Sequence, residues 1–204
     1  MSDAARRFYT ERVPAQFNDA LDETLAQEGP DGPTYRGLVS VHGTIEVRVE
    51  GGPDAPFHLN IEAGRMVAEG NGAHEPFLIV QHDAAACEAI VRESGDSALG
   101  FLGVVAGLGQ EIRLTQGRVD NLRQVAGTVG VTLSGLRGFS LRAHFGGGTP
   151  AADPDCDLVI DSEVYAQLRT GEVDPQDAFM SGKIEIGGDM QMAMQLALAM
   201  MSPD

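Results

Sequence analysis

The sequence predicts an α+β protein in which helices cover an antiparallel sheet, and three observations carry that prediction. Apolar side chains recur at helical spacing over 14–25, residues 39–50 alternate with period two, and the segment order is then repeated further along the chain.

Pro14 followed by Phe17, Leu21 and Leu25 gives a helix with proline in its first turn, ending at Gly29-Pro30. From Val39, the residues Val41, Ile45, Val47 and Val49 share one parity, while Ser40, His42, Thr44, Glu46 and Arg48 share the other. A long strand with one wet face is expected. Gly51-Gly52-Pro53-Asp54 turns the chain into Phe57, Leu59 and Ile61, Ala63-Gly64 leads to a short strand near Met66, and Phe77 to Val80 precedes a helix over 83–92.

Thr115 then caps a helix carrying Val119, Leu122 and Val125, and GTVGVTLSG at 127–135 echoes GTIEVRVEG at 43–51. FSLRAHF at 139–145 echoes FHLNIEA at 57–63, and the run from 157 to 174 echoes that from 77 to 96. Order is kept while loops shorten, so the expectation is a duplicated unit with copies near 30–112 and 113–204. The domain reading is an N-terminal half, 1–112, and a C-terminal half, 113–204, separate or fused into one domain.

Composition bounds the function. With 30 Asp plus Glu against 14 Lys plus Arg, the formal charge is −16, which repels nucleic acid and anionic bilayers at long range. Two cysteines, Cys87 and Cys156, without CxxC spacing fit a reducing, cytoplasmic setting. No apolar h-region opens the chain and no apolar run reaches the roughly 20 residues of a membrane span. The five histidines have no metal-ligand spacing; His42, His58 and His144 fall on the polar parity of their strands and read as solvated surface. No nucleophile elbow or phosphate loop is present, and Cys87 reads as a small packed hydrophobe. Neither a cofactor nor a metal is expected.

The segment TGEVDPQDAFMSGKIEIGGDMQMAMQL, with Gly171, Asp174, Pro175, Ala178, Phe179, Gly182, Lys183, Ile184, Ile186, Gly188, Asp189, Met190 and Leu196 at its fixed spacings, resembles the sterol carrier protein type-2 family. The resemblance is clearest over 127–204. It implies a curved sheet under helices and an apolar tunnel between them that accepts fatty acids, acyl esters or sterols. The first copy has no counterpart to AFMSGKIEIGGDM, running instead into SALGFLGVVAGLGQ.

Residues 190–201 form a helix in which only Gln191 and Gln195 are polar, and six of the eight methionines lie at 180, 190, 192, 194, 200 and 201. Such a helix needs cover on more than one side, either as a core element whose methionines fill gaps or as the wall of a deformable pocket. The resemblance places Phe179, Met180, Ile184, Ile186, Met190, Met194, Ala197, Leu198 and Met201 on the ligand side. The i, i+4, i+8 spacing puts Met190, Met194 and Leu198 on one stripe and leaves Met192, Leu196 and Met200 to pack on the sheet. The apolar run Ala98 to Gly109, with Gly103 and Gly107 four apart, reads as a close-packed helix or as a lid.

Enclosing about 14 methylenes at roughly 0.8 kcal/mol each gives on the order of 11 kcal/mol gross, where micromolar binding needs about 8. The expected function is therefore intracellular binding and transfer of an apolar lipid, with transient membrane or enzyme contacts, and no enzymatic activity. A protein-interaction module with a sealed core and an enzyme acting on a lipid-like substrate are the alternatives.

Overall fold

The computed structural model describes residues 3–52, 55–93, 114–135 and 138–201; the apolar run 98–109 lies outside them. Helix α1, Asp3–Arg7, passes through a π-helical turn, Phe8–Arg12, into α2, Val13–Glu28. The helix thus begins before Pro14, where the sequence pattern started it. The wider turn just ahead of Pro14 accommodates a ring that carries no N–H. Phe8, Tyr9, Val13, Phe17 and Leu21 bury one side of this unit.

Helix α3, Pro33–Val39, follows, with Pro33 in its first turn. The strand expected from Val39 starts only at Gly43, because Pro33 nucleates a helix that the alternation of 39–42 does not override. Then come β1 Gly43–Glu50, β2 Phe57–Glu62, β3 Arg65–Glu69, β4 Pro76–Asp83 and α4 Ala84–Glu93. The second half has α5 Gln116–Gln124, β5 Gly127–Ser134, β6 Phe139–Phe145, β7 Cys156–Asp161, α6 Ser162–Thr170, α7 Pro175–Met180, β8 Ile184–Gly188 and α8 Met190–Met201. As expected, Thr115 caps α5, its hydroxyl accepting from Arg118 N, and Val119 and Leu122 are buried.

All eight strands form one sheet, ordered β3-β2-β1-β4-β6-β5-β7-β8. Not every neighbour is antiparallel: β1 runs parallel to β4, and β5 to β7. In the first half β1 pairs antiparallel with β2 and parallel with β4; in the second, β5 does the same with β6 and β7. Val47 lies opposite Phe57 as Val131 lies opposite Leu141, and Glu50 opposite Asp83 as Ser134 opposite Asp161. These pairings differ from the sequence matching of the same strands by two residues, a slip that alternation cannot detect because it preserves parity.

The halves meet where β4 pairs antiparallel with β6. Beside β4, strand β6 takes the place that β8 takes beside β7; beside β6, strand β4 takes the place that β3 takes beside β2. One apolar core runs through both halves, from Phe8 to Ala199.

The expectation of a wet second face is corrected. Thr44, Glu46, Asn60, Thr128 and His144 are buried despite lying on the polar parity. Loops 70–75 and 146–155 fold back over this face and bond to Thr44, Asn60, Thr128 and His144, while Glu46 is held by Arg48 and His58. Thr44 Oγ1 donates to Asn60 Oδ1 (2.8 Å) and accepts from His74 N, while Asn60 Nδ2 donates to Asn71 O. In the second half His144 stands where Asn60 does. Its Nε2 lies 2.7 Å from Gly147 O, so it carries the proton, and Nδ1 accepts from Thr128 Oγ1, which itself accepts from Ala151 N. His58 is also withdrawn from solvent, against Glu46, whereas His42 is exposed.

Candidate functional site

Between α7 and α8 the chain reverses twice, and two glycines in the left-handed region permit it: Gly182 at φ 71° and Gly188 at φ 73°. At Gly188 a Cβ would stand 2.4 Å from Asp155 O, so no other residue fits this junction. Asp189 N donates to Asp155 O, and Asp189 Oδ1 accepts from Gln191 N at 2.9 Å and Met192 N at 3.1 Å. This N-cap fixes the start of α8 and hence which of its sides meets the core.

The inner side carries Met192, Ala193, Leu196 and Ala199, all buried. Met192 packs so close to Gly127 that a Cβ there would lie 3.0 Å from its thioether. Helix α8 contacts α5, β7 and β8. Met192 and Leu196 thus pack as the spacing predicts.

Most of the residues that the resemblance assigns to the ligand wall lie outside the core. Met194 is 61% exposed, Leu198 67% and Met180 75%, with Met190 and Phe179 also exposed. Ile184 and Ile186 are partly buried against the core and Ala197 is half-buried. Met201 is the last residue of α8. The expected stripe of Met190, Met194 and Leu198 is real, but it faces outward. Leu196 and its neighbours on α8 already supply what the core needs, so the remaining apolar circumference is turned to the surface.

The described cavity is an open groove of about 540 Å³ beside this surface, lined by Glu172, Val173, Asp174, Asp177, Met180, Ser181 and Lys183. Met180 is the one member of the ligand set that reaches it. Four of its lining residues, Glu172, Asp174, Asp177 and Lys183, are charged, whereas α8 from Met190 to Met201 carries no charge.

A second cluster, not anticipated from sequence, is buried under the first half. Tyr9 Oη donates to His82 Nε2 at 2.7 Å, and His82 Nδ1 donates to Asp83 O at 2.8 Å. Burial holds the Tyr9 phenol well above its ordinary range and pushes His82 below its own. Burial also raises the thiols of Cys87 and Cys156, both unbridged, so neither is primed as a thiolate. His82 was visible as a histidine near Cys87, but nothing local pointed to Tyr9, 73 residues away. Among the described residues, no group of three or more His, Cys, Asp and Glu side chains could hold a metal, and no helix is long and apolar enough to cross a membrane.

Residues 110–200 match the family model of the SCP-2 sterol transfer family. Over 51 residues the chain is 43% identical to sterol carrier protein 2 of Rattus norvegicus and 41% identical to hydroxysteroid dehydrogenase-like protein 2 of Xenopus tropicalis. These stretches make up 24% and 25% of this chain, and 9% and 12% of the relatives' own length. Among solved structures, sterol carrier protein 2 like 2 from Aedes aegypti is similar at 24% identity and a TM-score of 0.31, covering 36% of this chain and 73% of that one. Sterol carrier protein 2 from Yarrowia lipolytica, in its apo form, gives 20% identity and a TM-score of 0.30, covering 38% and 75%.

One expectation is overturned by these relatives. The exclusion of enzymatic activity does not stand, because the same stretch recurs in hydroxysteroid dehydrogenase-like proteins 2 of Xenopus tropicalis and Danio rerio. Missing catalytic motifs constrain only the residues in which they were sought, and in those relatives the stretch is a small part of a longer chain. Over residues 110–200, this chain carries a segment of the SCP-2 sterol transfer family.

Proposed function

We propose that the chain binds an apolar lipid, such as a fatty acid, acyl ester or sterol, at the surface formed by α7, β8 and α8, and carries it in an intracellular, cytoplasmic setting. The observation that carries this reading is the set of exposed apolar side chains within the family-matched segment, Phe179 and Met180 on α7 and Met190, Met194 and Leu198 on the outer side of α8, whose inner side is in the core. Exposed methionine and leucine in such concentration favour an apolar partner of variable shape.

In this reading residues 189–201 form the gate: the lipid is first held on the outer apolar side of α8, and displacement of the helix from the sheet turns that side toward an internal tunnel that encloses the ligand. Only the Gly187-Gly188-Asp189 connection joins α8 to β8 in the chain, which favours displacement of the helix as a unit. The overall negative charge makes any membrane contact depend on apolar side chains.

We also infer that the halves 1–112 and 113–204 are copies of one unit fused into one domain. The matched pairing of β1, β2 and β4 with β5, β6 and β7 supports this, as does the Thr44–Asn60 pair repeated as Thr128–His144.

The test is uptake of a fluorescent fatty acid by the purified chain, paired with mass spectrometry of its organic extract. Uptake that falls at least about tenfold in Met194→Glu and Leu198→Glu, with the thermal transition kept, is expected for lipid binding, since a buried charge is costly where a surface charge is not. A clean extract and no uptake would leave the sealed interaction module as the better reading. That reading is favoured by the groove at α7 being open to solvent and lined by Glu172, Asp174, Asp177 and Lys183.

A further inference from the structure

The sheet has two edges, and they are treated differently. At the β3 edge, Asn18 of α2 stands in for a further strand: its Nδ2 donates to Met66 O at 3.0 Å and its Oδ1 accepts from Met66 N at 2.8 Å. Arg65 and Asp22 add an ion pair across the same contact. That edge is closed.

At the β8 edge, Asp189 N donates to Asp155 O, which makes their pair a hydrogen-bonded one. Alternation along the antiparallel ladder then turns the backbone groups of Gly187 and Glu185 toward β7 and those of Ile184 and Ile186 away from it. The outward groups have no partner among the described residues, and every residue from Ile184 to Gly188 is exposed or half-exposed. The edge is open.

We propose that this edge pairs antiparallel with β8 of a second copy of the chain, about a two-fold axis at Ile186. Charge selects the partner and the register. Lys183 is the only lysine in a chain of formal charge −16, and its ammonium has no ion pair among the described residues. A two-fold axis at Glu185 would set two copies of Glu185 against each other. With the axis at Ile186, Ile186 lies opposite its own copy once, while Ile184 lies opposite Gly188 of the second copy and Lys183 opposite Asp189, each twice over. Lysine within an edge strand blocks pairing, but Lys183 precedes β8 and flanks the free edge. The pairing is isologous and leaves only the two closed β3 edges outside, so it stops at a dimer instead of growing into a filament.

Sedimentation velocity on the full chain over a concentration series, with amide hydrogen exchange at both ends of the series, tests this. A dimer should grow with concentration, and the amides of Ile184 and Ile186 should gain protection in step with it. Those of Glu185 and Gly187, bonded to β7, should be protected throughout. Lys183→Gln and Asp189→Asn, the latter keeping the N-cap, should each weaken association about tenfold, and together little more, because both remove the same two symmetry-related ion pairs. Glu185→Gln should not weaken it. Thermal transitions check that the variants are folded. A monomer up to about 1 mM, a dimer with freely exchanging Ile184 and Ile186 amides, additive losses, an open polymer, or protection that appears only with phosphatidylcholine vesicles and a monomeric protein would each overturn the proposal.

Discussion

Replacing Thr128 or Thr44 by valine tests whether the two polar pairs under the loops are equivalent. The change is nearly isosteric and removes one hydroxyl. At Thr128 the loss leaves His144 Nδ1, on a residue that is 8% exposed, without its donor, while Nε2 stays bonded to Gly147 O. At Thr44 it removes the hydroxyl that donates to Asn60 Oδ1, although Ala73 N still donates to the same oxygen. An unsatisfied buried polar atom costs about 1–3 kcal/mol. At this chain length each kcal/mol lowers Tm by about 2–4 °C, so Thr128→Val should unfold roughly 2–12 °C below the parent. Thr44→Val should fall toward the smaller end of that range, because its partner keeps one donor. Differential scanning calorimetry at neutral pH reads both. A Tm for Thr128→Val within about 1 °C of the parent would refute the claim that the pair is an internal, water-excluded bond.

Two other outcomes follow from the geometry. Because burial lowers the His82 pKa, the unfolded chain binds a proton below the ordinary value of 6.5 that the folded chain refuses. Stability should therefore be level above that pH and decline as pH falls toward the folded pKa, by at most about 1.4 kcal/mol per pH unit from this group; Tyr9→Phe, which strips the donor from His82 Nε2, should itself cost about 1–3 kcal/mol by urea unfolding. If residues 189–201 form the gate, their amides in the empty protein should exchange faster than those of 45–49 and 129–133 and slow on adding fatty acid; equal protection in the empty protein would place the gate elsewhere.

What the sequence revealed depended on whether a signal was local. Strand alternation located β1, β2, β5 and β6, and Thr115 marked a cap because it acts within a few residues of itself. The stripe Met190, Met194, Leu198 was equally legible as a stripe. Which side of α8 it occupied was not, since a helix apolar on nearly all sides has no pattern to distinguish core from surface. The buried face of Thr44, Asn60 and His144 was misread as wet because parity reports only which side of a sheet a residue takes. The covering loops have ordinary loop composition, and their role emerges only from bonds such as Asn60 to Asn71 and His144 to Gly147.

The same topology bears on how often the arrangement of α7, β8 and α8 can occur in the chain. In the second half, β7 is flanked by β8, and the reversals on either side of β8 carry α7 and α8. In the first half the position beside β4 is taken by β6, which pairs with it through Leu78–Phe145 to Gln81–Arg142. A strand equivalent to β8 cannot enter there without breaking the ladder that joins the halves. On the proposed duplication, the position beside β4 that corresponds to β8 is already filled by β6. Among the described residues, the surface built by α7, β8 and α8 therefore occurs once. The first half contributes to it indirectly, as the sheet and core against which β6, β5 and β7 are held in register.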